Sequence, residues 1–494
     1  MPRFLFTIVM FSFLGTCAAQ GHFKWTSEAE QSYGKLIQLR LREASSQIEQ
    51  IKKKDPENLI VYHLENYIDF FTLFILEDKT AYKKRKPNRD KRLEMIQKGD
   101  PQSPYYLFAQ ADIRMQWALL KFKFNDYLGG FQDVNKAHNL LVKNADRFPD
   151  FLPNQKNLSI LHSLVGTIPD QYMWGVKLLS GLEGTIAQGR REMEEVLNHS
   201  QFNTFIFADE MKAIYAYFLL HLDNEPEAAW QYIQSAEFSP DQNPLHCFVM
   251  SNIAMRSGHN DEAIDLLTFQ PNSRAMLPFD HLDFMLGLAK MHRLDPDANQ
   301  YLKRFVEQFP GHTFKKEAYQ KLAWHALLFE GEGGYYDYME KCSKNGYIHT
   351  GSDKDAQKEA FSGLSPQADL VKARLLFDGA YFEEALQILD VIDGEEFPEE
   401  RDRLEYYYRK GRIYHGLENY SLAIWHYQQT IHRGEKTSFF YACNAALQTA
   451  IIYEKVEKQH LAETFFRRCL AMYPDEYQNS LHQRAKAGLN RLRE

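Results

Sequence analysis

One spacing recurs along this chain, and it limits the folds open to it. Ala423 is preceded by Gly411 and Tyr414, twelve and nine residues back, and followed four residues on by Tyr427. The same offsets give Ala450, Tyr453 and Phe466 around Ala462, Ala373, Leu376 and Leu389 around Ala385, and Ala216, Leu219 and Tyr232 around Ala228. The anchors Ala228, Ala263 and Ala298 lie 35 and 35 residues apart, and Ala385, Ala423 and Ala462 lie 38 and 39 apart. A period of this length is that of a helix-turn-helix unit which cannot bury its apolar face alone and must stack on its neighbours. Proline gives a second register: it falls twelve residues after alanine at Ala44 and Pro56, Ala137 and Pro149, Ala228 and Pro240, Ala298 and Pro310, and Ala462 and Pro474. Chance predicts about 1.5 such pairs for a composition like this.

The physical reading is direct. A small residue is required where the second helix crosses the first closely, a bulky residue one turn on fills the gap, and proline closes the helix because it cannot continue the hydrogen-bond ladder. Strand signals are scarce, and apolar residues recur at three- and four-residue spacing. The expected class is therefore all-α: an α-α superhelix, a solenoid of antiparallel helix hairpins.

These offsets resemble the signature of the tetratricopeptide repeat (TPR). The match is good over 216–240, 366–398, 405–435 and 442–474, and looser over 244–310. The irregular first 200 residues resemble the divergent TPR proteins of the eukaryotic inclusion-body-clearance family and, more closely, exported bacterial TPR proteins. That resemblance carries no activity. The expected organisation is a signal peptide at 1–19, a divergent helical-hairpin region at 20–200, TPR-like repeats at 201–345, an irregular linker at 346–365, and C-terminal TPR repeats with a capping helix at 366–494.

The opening residues "MPRFLFTIVMFSFLGTCAAQG" place Arg3 before an apolar run from Phe4 to Leu14, a secretory pattern with Ala19 as the last residue before cleavage. "LGTC" also resembles a lipobox, which would make Cys17 an acylated first residue. No later segment has the ~20 apolar residues of a membrane helix. The expected location is exported, either periplasmic or associated with the outer membrane, with peripheral membrane association left open. A net charge of -8 argues against general nucleic-acid binding, which needs a basic surface. The four later cysteines, Cys247, Cys342, Cys443 and Cys469, lack metal-site spacing and read as buried thiols, with Cys443 and Cys469 able to meet across paired helices.

No hydrolase, metalloprotease, P-loop or dinucleotide motif occurs. Neither a cofactor nor a metal is implied. The histidines His415 and His426 fall on different helices and would need a third ligand. "EGEGGYYDY" (330–338) reads as a turn between helices, and the run Lys83, Lys84, Arg85, Lys86, Arg89, Lys91, Arg92 reads as a solvated loop able to meet anionic headgroups or an acidic partner.

The TPR resemblance implies that the first helix of each repeat lines the groove. Carried across by position, it presents Arg374, Phe377, Glu405, Tyr408, Arg412, His415, Asn444, Leu447 and Glu454, with Arg374, Tyr408, Arg412, His415 and Asn444 as the binding candidates. Arg374 and Arg412 occupy one repeat position and are expected as stacked neighbours able to hold a carboxylate or an extended peptide. The expected function is a non-enzymatic protein–protein interaction scaffold of the cell envelope that binds a protein or peptide segment. The alternatives are a surface lipoprotein binding a glycan or nutrient, and an enzyme with convergent titratable groups in the irregular region around 104–200.

Overall fold

Alanine, proline and one backbone turn generate the architecture seen in a computed structural model, which describes residues 20–167 and 181–492. The leader with Arg3, Cys17 and Ala19 lies outside the described residues. The described residues are helical throughout apart from turns and two isolated bridges. The chain is all-α, built of antiparallel helix hairpins, and it divides into two compact units: Met1–Phe218 with Asn272–Pro278, and Leu219–Pro271 with Phe279–Glu494.

Unit 1 contains α1 (Ser27–Ile37), α2 (Leu41–Lys54), α3 (Ile60–Leu76), α4 (Lys79–Ile96), α5 (Pro104–Lys123), α6 (Tyr127–Arg147), α7 (Pro153–Val165), α8 (Ile186–Phe202) and most of α9 (Ala208–His221). Sequential neighbours pair as hairpins: α1 with α2, α3 with α4, α5 with α6, and α7 with α8. The segment before α1 is pinned by backbone bonds, with Leu59 N–H donating to His22 O and Asp100 N–H to Gly21 O, both at 2.8 Å. A Cβ at Gly21 would lie 2.6 Å from Leu59 Cδ1, so a larger residue there would displace the buried Leu59 side chain.

Unit 2 follows with α10 (Pro226–Ser235), α11 (Pro244–Arg256), α12 (Asn260–Thr268), α13 (His281–His292), α14 (Ala298–Gln308), α15 (Lys315–Phe329), α16 (Glu332–Lys344), α17 (Gly351–Ser362), α18 (Ala368–Asp378), α19 (Phe382–Asp390), α20 (Glu400–Gly416), α21 (Tyr420–Gly434), α22 (Phe440–Lys455), α23 (Gln459–Leu470) and α24 (Gln478–Arg491). Within it the first helices α13, α15, α18, α20, α22 and α24 contact one another in series, forming one layer, and the second helices pack behind them.

The alanine anchors behave as close crossings demand: Ala263, Ala298, Ala385, Ala423 and Ala462 are fully buried. The first anchor needs correcting by one residue. Ala229 is fully buried and Ala228 only half-buried, because α10 begins at Pro226 and turns the next alanine toward its partner. Gly411 and Tyr427 are a matched pair: Tyr427 is fully buried, and a Cβ on Gly411 would come 2.6 Å from its ring. Each of Pro56, Pro149, Pro240, Pro310 and Pro474 falls within a few residues after the end of a helix.

The hairpin turns share a geometry that the composition conceals. Asn419 N–H donates to Tyr414 O, Lys458 N–H to Tyr453 O, Tyr381 N–H to Leu376 O and Asp295 N–H to Lys290 O, all at 2.8–2.9 Å. These are the six-to-one bonds of the Schellman motif. The left-handed residues they enclose are Glu418, Glu457, Ala380 and Leu294, none of them glycine. The same turn closes α1 and α5 in unit 1, with Leu39 and Asn125 left-handed.

Two expectations about irregular segments change. The basic run is no loop: it lies within α4, where Arg85 and Arg92 pair with Asp69 and Arg89 pairs with Asp133. Carboxylates on neighbouring helices thus order a stretch whose own charges repel. The segment 346–365 holds α17, which packs on α15 and α16. Its Asp353 accepts backbone N–H bonds from Phe314 at 3.1 Å and Glu317 at 3.3 Å, capping α15, whose own N-cap side chain makes no such bond.

Candidate functional site

Two polar constellations stand out, one in each unit. In unit 1, Lys156 of α7 lies between two carboxylates, with Nζ 2.8 Å from Asp112 Oδ1 and 2.9 Å from Glu210 Oε2. It also donates to the Tyr67 hydroxyl at 2.8 Å. His63 Nε2 is 2.7 Å from Asp112 Oδ2, and Gln116 and Asn157 donate to the same carboxylate at 3.0 and 2.8 Å. Tyr33 donates to Glu210. Burial pushes the Asp112 carboxyl up, but the Lys156 ammonium and His63 together outweigh it and hold it well below the usual range. Burial likewise lowers Lys156, while Asp112 and Glu210 more than restore it.

This cluster lies where an active site in the irregular half was anticipated, but its members are turned toward one another. Lys156, Asp112 and His63 are 3%, 1% and 0% exposed, so the lysine and its carboxylates serve as mutual counter-charges rather than as groups presented to a substrate. Sequence reasoning missed the cluster because its residues sit at buried positions of helices that otherwise read as apolar.

In unit 2 the first-helix layer carries the five groove candidates. Tyr408 is 2% exposed, and its hydroxyl accepts from Asn444 Nδ2 at 2.7 Å and from Arg412 Nη1 at 3.0 Å. Tyr408, Arg412 and Asn444 therefore form one constellation across α20 and α22. Arg374 and Arg412 sit alike in successive repeats. Each covers an aromatic of the preceding first helix, Arg374 over Trp324 at 4.8 Å and Arg412 over Phe377 at 4.7 Å. This repeated arrangement follows from their shared repeat position. His415 packs edge-on against Tyr420 and Tyr427, and burial with the Arg412 charge pushes its pKa down to about 4, so it is neutral at pH 7. Leu447, placed in the groove by the repeat pattern, is fully buried. Glu405 is held by Arg409 at 2.8 Å and Tyr441 at 2.7 Å, and Glu454 by Arg491 at 2.7 Å.

Arg484, exposed on the capping helix α24 and outside any repeat position, was not foreseen. Partial desolvation, and then the Arg412 charge, lower its pKa. Among the described residues no carboxylate comes within ion-pair distance of Arg412 or Arg484. Lys321 on α15 adds a cation 3.7 Å over the Trp324 ring, its pKa pushed down to about 8 by burial and, despite the opposing Glu317, by Arg374. The layer is also closed along one side: Lys358 of α17 reaches Glu476, just before α24, at 3.4 Å and lies over the Tyr477 ring.

The remaining candidates resolve simply. Among the described residues no cluster of His, Cys, Asp and Glu is arranged to hold a metal, and His426 stacks on Tyr414. Of the Gly-rich stretch only Glu330 and Gly331, the latter at φ 105°, form a turn; Glu332 to Tyr338 already belong to α16. Cys443 and Cys469 are buried, with their sulfurs 3.6 Å apart across α22 and α23. No described helix is long and apolar enough to cross a membrane.

No protein-family model matches this chain, and no curated protein matches it. Among solved structures it is similar to the crystal structure of the APC/C hetero-tetramer Cut9-Hcn1, at 12% identity over 95% of this chain and 97% of that one, with a TM-score of 0.23. A superposition this loose equates no residue of one chain with a residue of the other. What the chain's own contacts define is the class: a helix-hairpin protein whose first-helix layer in unit 2 carries Arg412 with no carboxylate partner among the described residues.

Proposed function

We propose that the protein is an interaction scaffold which binds an extended, carboxylate-bearing segment of a partner protein along the first-helix layer of unit 2. The observation that carries this reading is that neither Arg412, half-buried and held by the Tyr408 hydroxyl, nor the exposed Arg484 has a carboxylate within ion-pair distance among the described residues. Guanidinium groups that are ion-paired internally, as Arg409 is, have nothing left to offer an anion; these two do. Asn444 and the Tyr408 hydroxyl hold Arg412 in place, so little side-chain entropy remains to be lost on binding. Repeat scaffolds bind on the surface that stacking creates, which fits the series from α15 to α24.

We further propose an exported protein acting in the cell envelope, on the strength of the leader pattern in its sequence. Mass spectrometry of the mature N-terminus decides between cleavage after Ala19 and acylation of Cys17.

The binding reading is tested by selecting peptides from a random display library on the full chain and measuring their affinity by fluorescence anisotropy. The expected ligands carry Asp, Glu or a free C-terminus, and Arg412→Glu with Arg484→Glu weakens them at least a hundredfold, as loss of two charge-assisted contacts requires. Trp425→Ala, an exposed change on the second-helix layer, leaves affinity unchanged. Selection of no peptide, or of peptides indifferent to the double variant, overturns the reading.

A further inference from the structure

The tip of the α5–α6 hairpin in unit 1 exposes bulky apolar side chains that neither the core nor the groove uses. Tyr127, Leu128 and Phe131 are 58%, 73% and 65% exposed, and Leu119 on the facing helix is 45% exposed. They form one patch, because the Phe122 ring lies 5.1 Å from Phe131 and 6.4 Å from Tyr127. Contiguous exposed apolar surface is uncommon on a soluble protein and marks a contact surface.

Helix α4 runs beside this tip. Tyr82 stacks on Phe124 at 4.2 Å, Lys86 reaches Asp126 at 4.0 Å, and Arg89 pairs with Asp133. The arginines of α4 turn inward to Asp69 and Asp133, whereas Lys83, Lys84, Lys86 and Lys91 are exposed. Lys83, Lys84 and Lys91 form no ion pair among the described residues. One helix thus commits its arginines to the fold, while Lys83, Lys84 and Lys91 face solvent.

We infer that this hairpin tip and the lysine face of α4 dock the protein on an anionic lipid surface, with Tyr127, Leu128 and Phe131 entering the headgroup region and the lysines lying at phosphate level. Two features select a lipid layer over a folded partner. The apolar residues cluster at a hairpin end, where a soft interface accepts them without needing a matching pocket. Aromatic and aliphatic chains beside lysine are also the pairing that a membrane interface favours, apolar below and cationic above. This inference goes beyond the groove reading and does not depend on it.

The test is co-sedimentation of the full chain with phosphatidylcholine vesicles, with and without 30 mol% phosphatidylglycerol (~30 mol% suffices for a strongly negative surface). Binding is expected only to the anionic vesicles and should weaken as salt rises. Replacing Lys83, Lys84 and Lys91 by alanine weakens it by about fivefold per lysine, and Leu128→Glu with Phe131→Glu abolishes it at every salt concentration. Because these positions are exposed, the variants keep the wild-type melting temperature. As a second readout, Phe131→Trp shows blue-shifted emission on anionic vesicles and is quenched by brominated acyl chains. Absence of vesicle binding, equal binding to neutral vesicles, or retention of binding by the Leu128→Glu, Phe131→Glu variant overturns the inference. A surface reserved for an acidic protein would give the first of these results.

Discussion

Unit 1 and unit 2 both gather charges onto buried or half-buried helix faces, and they finish the job differently. In unit 1 the Lys156 cation has two carboxylates, and Asp133 collects Arg89, Arg114 at 3.2 Å and Lys121 at 2.7 Å. In unit 2, Arg412 has an aromatic face and a phenol but no anion, and Arg484 has no carboxylate partner among the described residues. Charges that satisfy one another fix a packing arrangement; charges left unsatisfied are available to something else. Polarity alone therefore does not mark a site, and the closed network of unit 1 is the stronger electrostatic feature but the weaker functional candidate.

The largest expected effect breaks the closed network. Lys156→Met leaves Asp112 with His63 alone and Glu210 with no cation, and should cost about 3–5 kcal/mol, the range for removing one partner of a buried pair. Arg412→Met strands no carboxylate and should cost less than about 1 kcal/mol, chiefly lost contact with Phe377. Urea denaturation of the full chain with region-resolved hydrogen exchange separates the two. Protection in α3 and α5 should fall for the first variant, and protection in α20 should barely move for the second. Equal costs would mean that Arg412 also holds a buried partner.

Acid should act on the units in opposite order. In unit 2, burial pushes His292, His415 and His426 down to about 4. Their folded pKa lies below the unfolded value of ~6.5, so the unfolded chain takes up protons first as pH falls, and stability is lost between about pH 6.5 and 4. Each contributes up to about 2 kcal/mol after allowance for partial solvation. In unit 1 the Asp112 carboxyl is depressed, so its contribution stays intact down to the unfolded carboxylate value near ~3.9 and is lost only below that. His138 in unit 1 is lowered too, which softens the contrast without reversing it. Hydrogen exchange at stepped pH should show α13, α20 and α21 loosening first, with α5 following below about pH 4.

The repeat positions explain why some of this was legible. Ala423, Gly411 and Tyr427 are fixed by a close helix crossing, which constrains residue size at a set spacing, and size is visible in a sequence. The network around Lys156 depends on which helices meet, and Asp112, Lys156 and Glu210 lie too far apart in sequence for any local pattern to connect them. The basic run misled for the same reason: the charges of α4 suggest a loop until Asp69 and Asp133 are brought beside them. Arg484 escaped because a capping helix ends the periodicity by which Arg374 and Arg412 were found.

The turns give the smallest and cleanest test. Turns are ordinarily recognised by glycine at the left-handed position, and here Ala380 occupies one at φ 64° and Glu418 another at φ 56°. Side chains there crowd the following carbonyl at a cost of about 1 kcal/mol, whereas glycine adopts the same backbone freely. Glycine also gains entropy in the unfolded chain, which offsets part of that benefit. Ala380→Gly should therefore stabilise unit 2 by about 0.5 kcal/mol, with no change at Arg412 or Arg484. Glu418→Gly should gain less, because it also removes the exposed 2.8 Å ion pair with Lys455. Thermal melts of the two variants would rank them in that order. Destabilisation by both would show that the side chains at these turns, and not the Schellman hydrogen bonds, hold the hairpins closed.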